Sequence, residues 1–407
     1  MNNMKTSPAK TGNRWYNALL PGIITAAVVF GPSKMTITSK MGAGYGTSLL
    51  WVVVVAIFFM AVYTGMAARI GRASQMSFLS IVREKWGKTV AMVIGIGIFL
   101  VTTSFQAGNA IGAGIAMAEL TKTNTTIWVI LFTAAAVLLL FLKAFYRILE
   151  KVMLSIIILM LLSFVTTCFL SKPSFSEIAA GLRPMIPDGS MPLIIAFTAS
   201  CFSLVGAIYQ SYLVQERARN LNIPNHEIKD KSLTGIVLLG FMSACVMLSA
   251  SAVLHSRGLQ INNAADMGKS LEPLFGGGAT MLFLIGLLGA SISSLIGNST
   301  VGGTLLSDAL GSGNGLERSG VKGYIALVMV IGATIAVIFG KLPLELIVFA
   351  QSVTILIVPV IGIAMYLVAN NQQIMGKLVN TAFTKIVGGL GLILILYLAA
   401  KNIISLF

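Results

Sequence analysis

Lys34 is the residue whose type and position most directly suggest chemistry in this sequence. It follows the helix-breaking pair Gly31-Pro32 and lies within the first long apolar stretch of the chain. A positive charge at membrane depth is costly, so it needs an anionic partner, a set of carbonyl groups or a route to water. We therefore expect Lys34 to line a binding site. The alternative is that its side chain extends outward to solvent, since Lys40 lies only six residues further on.

A second polar segment interrupts the sixth apolar stretch, between Thr198 and Gln210, where serine, cysteine, glycine and glutamine replace large apolar residues. Unwound backbone at membrane depth is tolerated where it is buried in protein or lines a cavity. Paired breaks in corresponding helices of two halves are typical of the substrate site of an inverted-repeat transporter. The alternative is a kink at Gly31-Pro32 and small residues that let helices pack closely.

The composition defines the class of protein that must position these residues. Of 407 residues, 56% are hydrophobic and 10% are charged, and the mean hydropathy is +0.90, which excludes a soluble globule. The three cysteines lie in apolar stretches without disulfide or metal-ligand spacing. Basic residues are scattered rather than clustered with aromatics, which excludes nucleic acid as a partner and leaves the lipid bilayer. Eleven stretches are long enough to span it, at approximately 15–39, 47–69, 88–118, 126–145, 151–170, 191–215, 232–254, 278–307, 322–340, 343–369 and 386–406.

The distribution of charge predicts the topology. Alternate connections, counted from the amino terminus, hold 19 basic residues against 8 in the opposite set, and Lys34 is the remaining one of 28. Because cytoplasmic segments carry the Lys and Arg excess, we expect a multi-pass protein of the cell membrane with a cytoplasmic amino terminus and an external carboxyl terminus. All acidic residues fall in connections or near helix ends, so no carboxylate remains for a cation at the bilayer centre.

Several segments resemble the NRAMP family of divalent-metal transporters, and the similarity runs over nearly the whole chain. Gly44–Trp51 and Ala68–Gly71 look like the family's second span, and Tyr146–Glu150 looks like the junction of its fourth and fifth spans. The segment Tyr212–Arg217 is similar to the end of the sixth span, and Gln351 with Pro359 to the tenth.

The resemblance implies an all-α polytopic membrane protein with a LeuT-type fold. Two inverted five-helix repeats plus one extra helix give 11 transmembrane helices, with alternating access around a midplane site. The expected divisions are 1–170 for the cytoplasmic amino terminus and the first repeat, 171–369 for the second repeat, and 370–407 for the eleventh helix and carboxyl terminus.

The family's functional motifs are replaced in this chain. Where the family has Asp-Pro-Gly-Asn, whose Asp and Asn coordinate the metal, this chain has Gly31 to Lys34 in register. The family's Met-Pro-His in the sixth span, whose thioether selects soft metals, aligns with Ser203 to Val205. Its acidic pair in the third span, attributed to proton movement, aligns with Gln106 and Asn109. Among the positions that the family uses around the ion, only Gln351 remains.

These substitutions predict a secondary transporter for a small organic anion or amino acid, because a protonated Lys34 would repel a divalent metal. We expect no metal site, no cofactor and no enzymatic activity. Lys34 could also load and release a proton and so couple transport to a proton gradient. The expected substrate-binding residues are Gly31, Ser33, Lys34, Thr36, Ser200, Ser203, Gly206, Gln210 and Gln351, and the expected polar pathway residues are Gln106, Asn109 and Asn298.

Two alternatives remain open at this point. The chain could still transport a divalent metal such as Mn, Mg or Fe, as in the family that it resembles. It could also be a membrane scaffold or sensor that does not transport. A membrane enzyme has little support, because His226 and His255 lie in polar connections and no nucleophile and base pair is suggested.

Overall fold

A computed structural model describes residues 30–141, 145–230, 232–259, 261, 266, 276–339 and 344–406, and all regular elements in these ranges are helices. The α-helices are α1 (Pro32–Tyr45), α2 (Leu50–Ala73), α3 (Phe78–Trp86), α4 (Lys88–Thr121), α5 (Thr125–Phe141), α6 (Phe145–Ser171), α7 (Phe175–Gly181), α8 (Met191–Cys201), α9 (Leu204–Leu221), α10 (Ser232–Val253), α11 (Gly277–Ala309), α12 (Ser319–Phe339), α13 (Leu344–Ala369), α14 (Gln372–Met375) and α15 (Ala382–Leu406).

The long helices follow the apolar stretches of the sequence. Within the described ranges, eight helical segments are long and apolar enough to cross a membrane. The fourth predicted span is represented by α5, which has 17 residues, and the fifth by α6, which has 27. The predicted first span begins outside the described residues, and α1 is its second part. Helices dominate because a bilayer offers no water to backbone amides and carbonyls, so each segment must satisfy its own.

The interior is built around α4 and α11, which pack against each other more extensively than any other pair of described helices. Small residues permit this approach. A Cβ on Gly302 would lie 2.8 Å from the Cβ of Thr102, and a Cβ on Gly95 would clash with the Cβ of Ala309. Close backbone approach through small residues is the usual means of helix association in membranes. Helices α1, α8, α9 and α13 contact this pair or one another and complete the centre of the molecule.

Candidate substrate cavity

Helix α1 starts directly at the predicted break. Gly31 has extended backbone angles, φ −100° and ψ 175°, and Pro32 occupies the first turn, where its missing N–H removes no helical hydrogen bond. No side chain caps this helix start. A Cβ on Gly31 would lie 2.6 Å from the Oδ1 of Asn109 and 3.1 Å from the Oγ of Ser294. The Asn109 amide therefore occupies the space that any larger residue at position 31 would need.

The sixth span is discontinuous, as the sequence predicts. Helix α8 ends at Cys201, and Phe202 and Ser203 leave helical geometry with ψ angles of 60° and 92°. Helix α9 then begins at Leu204, where the Ser203 Oγ accepts a hydrogen bond from the Gly206 N–H at 3.2 Å. This cap satisfies one of the amides that the start of a helix leaves without a partner. The break brings the carbonyl end of α8 and the amide end of α9 to the same place.

Both breaks open onto one cavity with an empty volume of about 520 Å³, part of which is open to the outside. It is lined by Gly31, Ser33, Lys34, Phe105, Asn109, Ser200, Ser203, Val205, Gly206, Ser294, Asn298, Val301 and Gln351. Seven of the nine predicted substrate-binding residues and two of the three predicted pathway residues are among them. Among the described residues, no aspartate or glutamate lines this cavity, and no group of three or more His, Cys, Asp or Glu could hold a metal ion.

Lys34 lies inside the protein and lines the cavity. Its side chain is 2% exposed, which rules out the alternative of an extension outward to solvent near Lys40. Its Nζ has no hydrogen-bond partner of acceptable geometry among the described residues, and the thiol of Cys201 is the titratable neighbour with which it interacts. The one salt bridge in the described part of the chain joins Lys122 and Glu119, so no carboxylate there pairs with Lys34.

Gln351 is the second polar group in the cavity without a partner. It is fully buried on α13, and neither its Oε1 nor its Nε2 forms a hydrogen bond within the described structure. Leaving a buried amide unpaired typically costs about 1 to 3 kcal/mol. An unpaired donor and acceptor that both face a cavity indicate a site prepared for a ligand.

Gln106 lies behind the cavity and orients two lining residues. Its Nε2 donates to the Leu295 carbonyl at 2.8 Å, and its Oε1 accepts from the Nδ2 atoms of Asn109 at 3.4 Å and Asn298 at 3.3 Å. Asn298 also donates to the Thr102 carbonyl at 2.6 Å. Because the Nδ2 atoms of Asn109 and Asn298 both donate in this network, their Oδ1 atoms remain available to accept a hydrogen bond or to coordinate a metal ion.

Two predicted substrate residues lie elsewhere. The Thr36 hydroxyl donates to the Pro32 carbonyl at 2.9 Å, one turn back along α1, and does not line the cavity. The Gln210 Nε2 donates to the Asp230 Oδ1 at 3.3 Å, and Gln210 does not line the cavity. The spacing of residues along a helix does not show which side of the helix faces the cavity, because that depends on the neighbouring helices.

The sequence analysis missed Ser294 and Phe105, which line the cavity, because a serine and a phenylalanine in apolar helices give no distinguishing signal.

Two discontinuous helices around a buried central cavity define a multi-pass membrane transporter of the LeuT type. The profile of the family described as "Natural resistance-associated macrophage protein-like" matches residues 22–405, and the chain belongs to this family. This confirms the predicted family and fold class. The protein called divalent metal cation transporter MntH in Yersinia pestis (strain Pestoides F) is 24% identical over 95% of this chain and 94% of its own length. The MntH of Pectobacterium carotovorum is 25% identical over 93% and 92%.

Solved structures agree on the fold. The manganese transporter of Eremococcus coleocola, in complex with an aromatic bis-isothiourea compound, superposes with a TM-score of 0.72 at 19% identity, covering 98% of this chain and 89% of that one. Mhp1, a nucleobase-cation-symport-1 family transporter, superposes with a TM-score of 0.56 at 13% identity, covering 94% and 91%.

The predicted anionic substrate is wrong. The relatives that match nearly the whole chain carry names that state a divalent metal cation as the substrate, and the solved relative is a manganese transporter. The prediction rested on the repulsion between a protonated Lys34 and a divalent metal. Among the described residues, no carboxylate of the cavity pairs with that charge, and burial without such a partner makes an ammonium costly.

Proposed function

We propose that this protein is a secondary transporter that moves a divalent metal cation across the membrane by alternating access through the cavity between α1, α8, α9 and α13. Membership of the family, the names of the relatives and the two broken helices support this proposal. The observation that carries it is the pair of buried, unpartnered groups, Lys34 Nζ and Gln351 with both amide atoms, that face one cavity.

The proposed ligands are neutral. They comprise the Gln351 Oε1, the Asn109 and Asn298 Oδ1 atoms, the hydroxyls of Ser200 and Ser203, and the lone pair of a deprotonated Lys34. Gly31, Ser33 and Gly206 would complete the wall through their backbone. Oxygen and amine nitrogen atoms suit divalent cations of the first transition row, which accept nitrogen more readily than magnesium does. The carbonyl end of α8 adds a partial negative charge beside the site.

The charge of Lys34 decides when a cation can bind. Two unit charges about 4 Å apart interact by roughly 4 kcal/mol at an effective dielectric constant of about 20, so an ammonium would repel a divalent ion by roughly 8 kcal/mol. Neutral oxygen ligands do not offset this. Metal binding therefore requires that Lys34 lose its proton, so one metal ion enters as one proton leaves. In the absence of metal, the ammonium itself occupies the cation site. A buried lysine thus replaces a carboxylate as the group that links the metal to the proton.

Uptake into proteoliposomes tests the proposal. Radiolabelled Mn²⁺ and Co²⁺ should enter vesicles that contain the wild-type protein, with saturation, and Lys34→Met should reduce the initial rate at alkaline pH by about tenfold through the loss of one ligand. Lys40→Met is the matched control, since it removes the same charge from a half-buried lysine on the same helix, away from the cavity. Wild-type vesicles that take up no divalent metal at any pH would overturn the proposal, as would equal rates in the wild type and Lys34→Met.

A further inference from the structure

A hydrogen bond between Tyr212 and Asp308 lies outside the cavity, in the middle of α9. The Tyr212 hydroxyl donates to the Asp308 Oδ2 at 2.5 Å, and the two residues are 4% and 3% exposed. The bond joins α9 to the last turn of α11, which is half of the central helix pair. Both partners are therefore excluded from water in this conformation.

The short helix α3 closes over the same bond. The Leu79 N–H donates to the Tyr212 hydroxyl oxygen at 3.3 Å. The Arg83 guanidinium donates to the Asp308 and Ala309 carbonyls, the latter at 2.9 Å, and so caps the carbonyl end of α11. Leu79 is fully buried. The hydroxyl of Tyr212 thus connects three helices at one point.

The connection before α3 is attached to α9 as well. The Gln215 Nε2 donates to the carbonyls of Ser74 at 3.0 Å and Met76 at 2.8 Å. Gln215 is 4% exposed and lies three residues after Tyr212 on the same helix. This face of the molecule is therefore closed around α9 by polar contacts rather than by apolar packing alone.

Helix α9 links this closed face to the cavity. Ser203 caps its start at the cavity, and Tyr212 lies nine residues further on, about 13 Å along the axis at about 1.5 Å per residue. A continuous helix of this length moves as one body. A tilt of α9 that widens the cavity toward this face must therefore separate the Tyr212 hydroxyl from the Asp308 carboxylate.

The chemistry of the Tyr212–Asp308 contact suits a hydrogen bond that forms and breaks during a transport cycle. Asp308 forms no ion pair within the described ranges, and Tyr212 is the side chain that donates to its carboxylate. A buried carboxylate that is held by a neutral donor gains hydration when its surroundings open. This gain offsets the loss of the hydrogen bond, so the closed and open arrangements differ little in free energy, as a transport cycle requires.

We propose that the Tyr212–Asp308 hydrogen bond is a latch that holds the α3 face of the transporter closed and that must break before the cavity opens toward that face. The latch acts on conformation and binds no substrate, so the proposal stands or falls separately from the identity of the transported ion.

The test measures access to the cavity without any substrate. Val205 lines the cavity and is outside the proposed ligand set, so Val205→Cys serves as reporter in a chain with Cys168, Cys201 and Cys245 changed to Ser. A membrane-impermeant maleimide is applied to the α3 face of oriented proteoliposomes. Tyr212→Phe removes the hydrogen bond and should raise the labelling rate about tenfold, the shift expected when a hydrogen bond to a carboxylate is lost. Asp308→Asn leaves a weaker, neutral acceptor and should raise the rate by a smaller factor.

Tyr209→Phe is the matched control, because the Tyr209 ring stacks on Tyr212 at a centroid distance of 6.3 Å and the change removes the same hydroxyl one turn away. It should leave the labelling rate unchanged. Unchanged rates in both Tyr212→Phe and Asp308→Asn would overturn the proposal, as would an increase in Tyr209→Phe equal to theirs. Because the two variants change different partners of one hydrogen bond, a folding defect in one of them would not explain an increase in both. Gel filtration identifies such a defect.

Discussion

At the scale of single residues, the proposal gives Lys34 control over when a cation can bind. Its side chain and the unpartnered amide of Gln351 line one cavity, and no carboxylate of the described residues lines that cavity. The steric fit of Gly31 adds a second constraint, because the Asn109 Oδ1 lies 2.6 Å from where a Cβ would be. In the register that the resemblance to the family implies, Gly31 stands where the family has an Asp and Asn109 where it has an acid. The Asn109 amide leaves no space for a side chain at position 31.

The exchange of a proton for a metal predicts a defined pH dependence. If one proton leaves Lys34 for each metal bound, the wild-type affinity for Mn²⁺ should rise about tenfold per pH unit while Lys34 is protonated. Lys34→Asn restores the residue that the family has in register and should bind Mn²⁺ with an affinity that does not change with pH. Lys40→Met should keep the wild-type slope. Isothermal titration calorimetry between about pH 6 and 8 measures all three. A slope in Lys34→Asn equal to that of the wild type would contradict the exchange.

Substitution of Gln351 should weaken metal binding without lowering the stability of the protein. Gln351→Met removes a buried amide that has no partner, so the free energy of unfolding should stay constant or rise, while Mn²⁺ affinity falls by about tenfold. Gln106→Met breaks the hydrogen bonds that orient Asn109 and Asn298 and should lower stability by about 1 to 3 kcal/mol. Thermal unfolding in detergent with and without Mn²⁺ compares the two variants. A large destabilisation in Gln351→Met would show that the amide supports the fold.

The sequence alone identified most of the residues that line the cavity, for physical reasons. A lysine after Gly31-Pro32 and a polar interruption of an apolar helix are both costly at membrane depth, so they stand out in a hydropathy profile. The protonation state of Lys34 does not stand out, because it depends on neighbours that are distant in sequence. The sequence also could not place Thr36, which does not line the cavity, because a threonine in a helix can satisfy its hydroxyl on its own backbone.

At the scale of helices, the start of α1 is held by tight contacts as well as by the geometry of Pro32. A Cβ on Gly112 of α4 would lie 2.6 Å from the Cβ of Pro32 and 2.8 Å from the Oγ of Ser291 on α11. The start of α1 is therefore held between α4 and α11 with no room for a methyl group. The sequence predicted helix boundaries to within a few residues where the apolar stretches are long. It could not predict the contact between α1, α4 and α11, because the residues involved are distant in sequence.

Gly112→Ala should accordingly damage both folding and the cavity. Overpacking at such a contact typically costs about 1 to 3 kcal/mol. Gly65→Ala is the control, because its Cβ would meet nothing within 4 Å and alanine is favoured over glycine within a helix. Thermal unfolding should show a lower midpoint for Gly112→Ala and an equal or higher one for Gly65→Ala. Equal midpoints for Gly112→Ala and the wild type would mean that α1 is free to move away from α4.

At the scale of the whole molecule, the fold follows from hydropathy and from the family, while the orientation in the membrane remains a prediction. The excess of basic residues in one set of connections predicts a cytoplasmic amino terminus and an external carboxyl terminus. Reporter domains fused to each end test this. A phosphatase that requires export should be active at the carboxyl terminus and inactive at the amino terminus. Activity at both ends, or at the amino terminus alone, would contradict the charge argument.

The most direct test of the central claim is the position of the metal itself. A crystal structure with Mn²⁺ at a pH near 8 should show an anomalous scattering peak in the cavity, within about 2.5 Å of the Gln351 Oε1 and the Lys34 Nζ, and the peak should weaken when crystals are moved to a pH near 5. A peak that lies outside the cavity, or one whose height is the same at both pH values, would contradict the claim that a divalent cation binds here in exchange for the proton on Lys34.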